Sequence, residues 1–139
     1  MLSRRIRGVH GLLLAAAALA PAAPAAAELP PYVYERARDA AVSVIVVDIS
    51  RVTAPREAFD EAACTLEGKV AAVERGDLHA AGRPVAVDLP CVGSLYQPMP
   101  GPFPGYSAEA LAKVTRGRLF LDAQGALVRR GFDALPARD

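Results

Sequence analysis

Histidine is scarce in this chain, which has two, and tryptophan is absent. A histidine relay or a histidine-based metal site needs several such side chains, and His10 lies in a segment that we expect to be removed, so His79 alone would remain. The chain also lacks the short patterns of zinc proteases, serine hydrolases, phosphate-binding loops and dinucleotide-binding folds. We therefore predict no cofactor, no metal centre and no enzyme of these classes.

The first 27 residues have the parts of a secretory signal. A cationic start precedes an apolar run at residues 9–20, and Ala25 and Ala27 supply the small side chains that signal peptidase requires. We predict cleavage after Ala27, which leaves a mature chain of residues 28–139. The alternative is an uncleaved anchor, but the apolar run has about a dozen residues, whereas a bilayer span needs about 20. The expected product is soluble, without a membrane span, and periplasmic or secreted.

The mature chain lacks an excess of positive charge. Cleavage removes three of the 16 basic residues and none of the 15 acidic ones, which leaves 13 basic residues against 15 acidic ones. A slightly acidic chain does not attract nucleic acid or anionic lipid by general electrostatics, so we expect no nucleic-acid partner. The 112 remaining residues suffice for one domain with one modest core.

Cysteine occurs twice, as Cys64 and Cys91, and an exported chain reaches a compartment where disulfides persist. The sequence therefore predicts a single bridge. A loop of about 28 residues closed in this way contributes about 3 to 4 kcal/mol by the chain-entropy estimate. The alternative, a redox-active or zinc-binding thiol pair, is disfavoured because the spacing matches neither C-x-x-C nor a zinc-ligand pattern.

Hydrophobic periodicity predicts a mainly β domain with one or two short helices. Residues 31–40 favour a helix or an extended arm, 55–63 form a polar insertion, 76–83 form a turn, and Ser107 can cap a short helix. The hairpin that contains the cysteines should place Cys64 opposite residue 92 or 93, which brings both cysteines to its open end. The predicted strands are residues 41–52, 65–75, 84–91, 118–122 and 126–130.

Five features of the chain match one known family: the apolar strand at 41–52, the LEGKVAAV strand that starts at Leu66, the turn from Arg75 to Gly82, the PVAVDLPC segment that ends at Cys91, and the late GRLFLD strand. Through these features, residues 31–133 resemble the netrin-like branch of the OB fold, in particular small exported bacterial proteins. The resemblance implies a five-stranded barrel but no activity, since one fold hosts many functions. The netrin-like metalloproteinase inhibitors use an N-terminal cysteine, whereas the mature chain here would begin at Glu28.

A candidate binding surface lies in the loop 92–106, which contains four prolines and three glycines after Val92. Its members are Tyr96, Met99, Phe103 and Tyr106, which a proline-stiffened backbone holds at low entropic cost for binding. The alternative is that these side chains fold back and cover one end of the barrel.

The sequence therefore favours an exported, non-enzymatic binding or interaction module whose partner is an unknown protein or small ligand. Two alternatives remain open. One is a small hydrolase that uses only carboxylates, for which Glu57, Asp60 and Glu61 are candidates, although a solvated surface explains them better. The other is a structural component of the cell envelope.

Overall fold

The apolar run near residue 45 forms the central strand of one sheet. The computed structural model describes residues 28–54, 61–98 and 101–138, and in it this run is β1, Ser43–Thr53. The first five residues of β1 are buried, because β2 and β5 flank the strand and both of its faces are covered. This explains why the run is apolar at successive positions rather than at alternate ones.

Two helices and six strands make up the described secondary structure. In chain order they are α1 (Pro31–Asp39), β1 (Ser43–Thr53), β2 (Glu61–Arg75), β3 (Pro84–Val92), β4 (Tyr106–Ser107), α2 (Ala108–Leu111), β5 (Arg116–Leu121) and β6 (Leu127–Ala134).

The sheet has the order β4-β3-β2-β1-β5-β6 and curls into a half-barrel, so that β3 approaches β6. All neighbouring strands are antiparallel except β3 and β4. Gly68 marks one point of close approach, since a Cβ there would lie 2.3 Å from the carbonyl oxygen of Asp48 on β1. A glycine in a strand permits such an approach between neighbouring backbones. The concave side encloses the core, which includes Ile45, Leu66 and Leu119, all fully buried.

The mainly β class with two short helices is confirmed, but the number of strands differs from the five expected. The sixth strand, β4, is a two-residue pairing of Tyr106 and Ser107 with β3, where the predicted loop 92–106 meets the predicted cap of the short helix. Residues 61–63, predicted as part of the polar insertion, instead begin β2. The helical interpretation of 31–40 is confirmed by α1, and Ser107 caps α2 by accepting a hydrogen bond from the backbone N–H of Ala110.

The structure contains the predicted disulfide between Cys64 and Cys91, with a Cα–Cα distance of 5.6 Å and both residues fully buried. The predicted register was wrong, because Cys64 pairs with Leu89 rather than with residue 92 or 93. The bridge therefore runs diagonally to Cys91, two residues further along the same face of β3. The reason is that β2 parts from β3 after Val70, which bonds to Gly82 and Arg83, while residues 72–75 pair with β1 only. The turn of the hairpin is therefore wider than 76–83.

Candidate ligand-binding site

Tyr106 joins the two ends of the curled sheet. Its backbone pairs with Cys91 on β3, and its hydroxyl accepts a hydrogen bond from the N–H of Phe132 on β6, at 3.1 Å. The same hydroxyl donates to the Phe132 carbonyl at 3.5 Å, and the two rings meet edge to face with centroids 5.5 Å apart. Burial raises the pKa of Tyr106 above its ordinary value, and the backbone hydrogen bond and the charge of Arg38 offset part of this rise.

The structure brings together only two of the four residues of the predicted binding surface, Phe103 and Tyr106, within the part of the chain that it describes. Phe103 packs edge to face on Tyr106, with ring centroids 5.1 Å apart, so these two side chains are brought together. Tyr96 is partly buried and does not line the cavity described next. Met99 lies outside the described residues. Of the four residues, Tyr106 connects β3 to β6 within the fold, and Phe103 packs on Tyr106 and lines a cavity.

Arg130, which sequence reasoning did not select, lines that cavity. Its guanidinium carbon is 4.6 Å from the ring centroid of Tyr34 and 4.6 Å from that of Phe103. The cation thus contacts two aromatic rings, which attract it through their electron-rich faces.

The backbone of Arg130 is strained. Among the described residues it is the one non-glycine residue with a positive φ, 49°. Such a conformation costs on the order of 1–2 kcal/mol. It occurs in a bulge, because residues 128–131 of β6 stand opposite Phe120 alone on β5. Bulges of this kind re-aim a side chain and are common next to functional sites.

Arg38 of α1 holds this strained segment in place. Its guanidinium donates to the carbonyl oxygen of Arg130 at 2.5 and 2.9 Å and forms two hydrogen bonds with the carboxylate of Asp133, at 2.8 and 3.0 Å. The same cation lies 4.9 Å from the ring centroid of Phe120. A two-pronged arginine–carboxylate contact adds geometric definition as well as energy. The helix and the bulge are therefore fixed to each other.

A cavity of about 350 Å³ opens between the β6 bulge, the proline-rich loop and the residues that lead into α1. Its walls are mostly apolar or aromatic, and two arginines supply the charge. The residues that line it are Leu29, Tyr34, Pro90, Pro102, Phe103, Leu127, Val128, Arg129 and Arg130. A concave, largely apolar site with a few convergent polar groups is typical of small-molecule sites, and this volume is at the lower end of their range.

A second cavity, of about 430 Å³, adjoins the first across Leu29, Tyr34 and Arg130, which line both. Glu28, at its edge, forms an ion pair with Nη2 of Arg130. We refer to the two cavities together as the Arg130 cleft. The other residues that line the second cavity are Pro30, Pro31, Glu35 and Arg38.

Two buried polar atoms at the cleft are unpaired. Within the described part of the chain, neither Oη of Tyr34 nor Nε of Arg130 has a hydrogen-bond partner, and Tyr34 is 9% exposed. A buried polar group without a partner is costly, and such groups are uncommon in folded proteins. Both atoms are inaccessible to solvent, so their hydrogen-bonding capacity is unused within the described chain.

Among the described residues, the lining of the Arg130 cleft includes no histidine, cysteine, serine or lysine. Its ionisable side chains are those of Glu28, Tyr34, Glu35, Arg38, Arg129 and Arg130. In the described ranges, no three histidine, cysteine or acidic side chains converge as a metal site would require. Glu57 and Asp60, two of the candidate catalytic carboxylates, lie outside the described residues, as does the side chain of Glu61.

Among the described residues, no helix has the length and apolar character that a bilayer crossing requires. Comparison with protein-family models, curated proteins and solved structures finds no match to this chain. The function is therefore inferred from the geometry of the cleft.

Proposed function

We propose that this chain is an exported, non-enzymatic binding module with an OB/netrin-like half-barrel, and that the Arg130 cleft holds a small ligand with an apolar body. The observation that carries the proposal is the position of Arg130. A strained backbone, contacts with two aromatic rings and the Arg38 contact all act to place one cation beside an apolar cavity.

The strand arrangement supports the OB/netrin-like assignment. Apart from the two-residue β4, five strands form the curled sheet, its edge strands β3 and β6 approach each other, and α2 precedes β5. An OB fold is a five-stranded, partly open barrel that binds ligands on its surface and loops. The Arg130 cleft lies between β3, β6 and a loop, where the barrel is open.

The disulfide and the leader together support export. We expect protein isolated from the extracytoplasmic fraction of cells that express the full chain to begin at Glu28, because Ala25 and Ala27 direct cleavage there. Intact-mass spectrometry measures this, and the mass should rise by about 2 Da on reduction, as one disulfide becomes two thiols. An unprocessed mass in that fraction would contradict the cleavage site.

Binding itself is tested by nuclear magnetic resonance of the exported protein. A panel of small acids, amides and amines with an aromatic or aliphatic body is added, and the backbone amide shifts are followed. We expect at least one class to perturb the amides at the cleft, around Leu29, Phe103 and residues 128–131. If no class perturbs this region, the cleft is not a ligand site, and a structural role in the envelope becomes the better hypothesis.

The substitution Phe103→Ala removes one aromatic wall of the cavity. We expect it to weaken the binding of the best panel compound about tenfold, because a buried aromatic contact contributes roughly 1 to 2 kcal/mol. It should lower the free energy of unfolding by only about 1 kcal/mol, since the ring is partly buried. Affinity is measured by the same titration and stability by urea unfolding.

The matched control is Leu95→Ala. Leu95 lies in the same proline-rich segment, is 53% exposed and lines neither described cavity. This substitution should change neither affinity nor stability. Equal affinities of the Phe103→Ala variant and the unaltered protein would show that the ring is no part of the site.

A further inference from the structure

The edge of the Arg130 guanidinium carries its N–H groups. Tyr34 and Phe103 contact the same group through their rings, whose centroids are each 4.6 Å from its central carbon. That edge is a fork of donors whose geometry matches the two oxygens of a carboxylate. In this structure one carboxylate already lies there, that of Glu28, which pairs with Nη2.

The Glu28 contact is of a kind that a ligand can displace. The side chain of Glu28 is 50% exposed, and the residue precedes α1 in a short extended segment. Exposed ion pairs contribute little to stability, because solvent screens them and ordering the side chains costs entropy. The Glu28 carboxylate therefore shows where a carboxylate fits on Arg130. Because its ion pair is weak, a ligand can take its place.

The surroundings of this position favour an acid over a neutral or cationic ligand. Arg129 adds a second cation to the lining of the cavity, and its side chain is exposed. Tyr34, which is nine-tenths buried, lines both cavities with Arg130, and its hydroxyl is unpaired within the described chain. The apolar walls next to these groups exclude a ligand that is polar throughout.

We infer that the ligand of the cleft is a small organic acid, whose carboxylate replaces that of Glu28 on Arg130 and whose apolar body fills the 350 Å³ cavity. Glu28 is then an internal competitor that occupies the anion position in the free protein. This inference rests on the proposed function, because it names the chemistry of a ligand for the same cleft.

The test compares 3-phenylpropionate with its amide, 3-phenylpropanamide, which have the same body and differ in charge. Dissociation constants are measured by shift titration on the exported protein and its variants. We expect the acid to bind at least about tenfold more tightly than the amide, since the amide keeps one acceptor oxygen but lacks the negative charge and the second oxygen that pair with the guanidinium. Phenyl phosphate is included as a third compound, and tighter binding of phenyl phosphate than of the acid would overturn the carboxylate assignment.

The substitution Glu28→Ser removes the internal competitor. It should tighten binding of the acid about three- to fivefold, the size expected for release of an exposed ion pair, and leave binding of the amide unchanged. Serine is used because cleavage after Ala27 places residue 28 at the amino terminus, where glutamine cyclises. The matched control is Asp39→Asn, which removes the same charge from an exposed side chain of α1 that lines neither cavity, and it should leave both affinities unchanged.

The outcomes separate the two proposals. If the acid and the amide bind the cleft equally, or if Glu28→Ser and Asp39→Asn have the same effect, the inference about the acid is wrong while the binding function stands. If neither compound perturbs the cleft in any variant, the binding function fails as well. The variant Arg130→Gln loses both the charge and the fork, and a preserved preference for the acid in it would show that the guanidinium is not the anion position.

Discussion

Replacement of Cys64 and Cys91 together by alanine should lower the free energy of unfolding by about 3 to 5 kcal/mol. The cross-link closes a loop with a sequence separation of 27, for which the entropy of the unfolded chain accounts for about 3 to 4 kcal/mol. Both sulfur atoms are also part of the core, so their removal leaves space that neighbouring side chains fill only in part. Urea unfolding of the exported protein measures the loss.

The two contributions to this loss can be separated. Reduction of the unaltered protein removes the cross-link but keeps both sulfur atoms, so it should account for most of the destabilisation.

The double variant should unfold at a temperature lower by roughly 15 °C, given the usual relation between stability and melting temperature in domains of this size. A protein whose unfolding midpoint is the same with and without reductant would contradict the stabilising role of the bridge.

The elements of this fold that arise from local patterns were predictable from the sequence. A run of β-branched residues predicted β1, Pro31 at the first turn predicted α1, and Ser107 predicted the start of α2. The disulfide was predictable because a mature chain with two cysteines has one possible pairing. Each of these predictions depends either on residues that are close in sequence or on the number of cysteines in the chain.

The register and the cleft were not predictable, because both depend on contacts between distant segments. The turn of the cysteine hairpin was misplaced because residues 72–75 pair with β1 and not with β3, a choice that the alternation within β2 does not reveal. Gly131 inside a strand is a signal for a bulge, and it was the one local indication that Arg130 would be displaced. Nothing local indicates that Tyr34, from the other end of the domain, covers that cation.

The substitution Tyr106→Ala should be the second large destabilisation, at about 3 kcal/mol, because it removes a ring that lies between Phe103 and Phe132 and the hydrogen bonds that join β4 to β6. This result would support the covering role for Tyr106, one of the two roles that the sequence left open for the aromatic loop. Phe103→Ala should weaken ligand binding while the fold stays stable. Tyr106→Ala should weaken ligand binding only because the fold itself is destabilised.

The substitution Tyr106→Phe isolates the hydroxyl. It leaves the backbone N–H of Phe132 without its partner and should lower the free energy of unfolding by about 1 to 3 kcal/mol. The same change at Tyr32, which is 53% exposed, is the matched control and should have no measurable effect. A Tyr106→Phe variant as stable as the unaltered protein, with weakened ligand binding, would instead assign Tyr106 to the binding surface.

The Tyr106 hydroxyl should also make stability decrease with alkaline pH. Burial raises its pKa in the folded protein above the ordinary value, so the unfolded chain loses this proton first as the pH rises. The stabilisation is therefore fully present below about pH 10 and is lost as the pH rises through the folded-state pKa. Urea unfolding at neutral pH and near pH 10.5 should show a smaller alkaline loss for Tyr106→Phe than for the unaltered protein, while Tyr32→Phe should behave as the unaltered protein does. If all three proteins lose the same free energy of unfolding at alkaline pH, the Tyr106 hydroxyl is not buried. The proposed contact between this hydroxyl and the backbone of Phe132 would then be wrong.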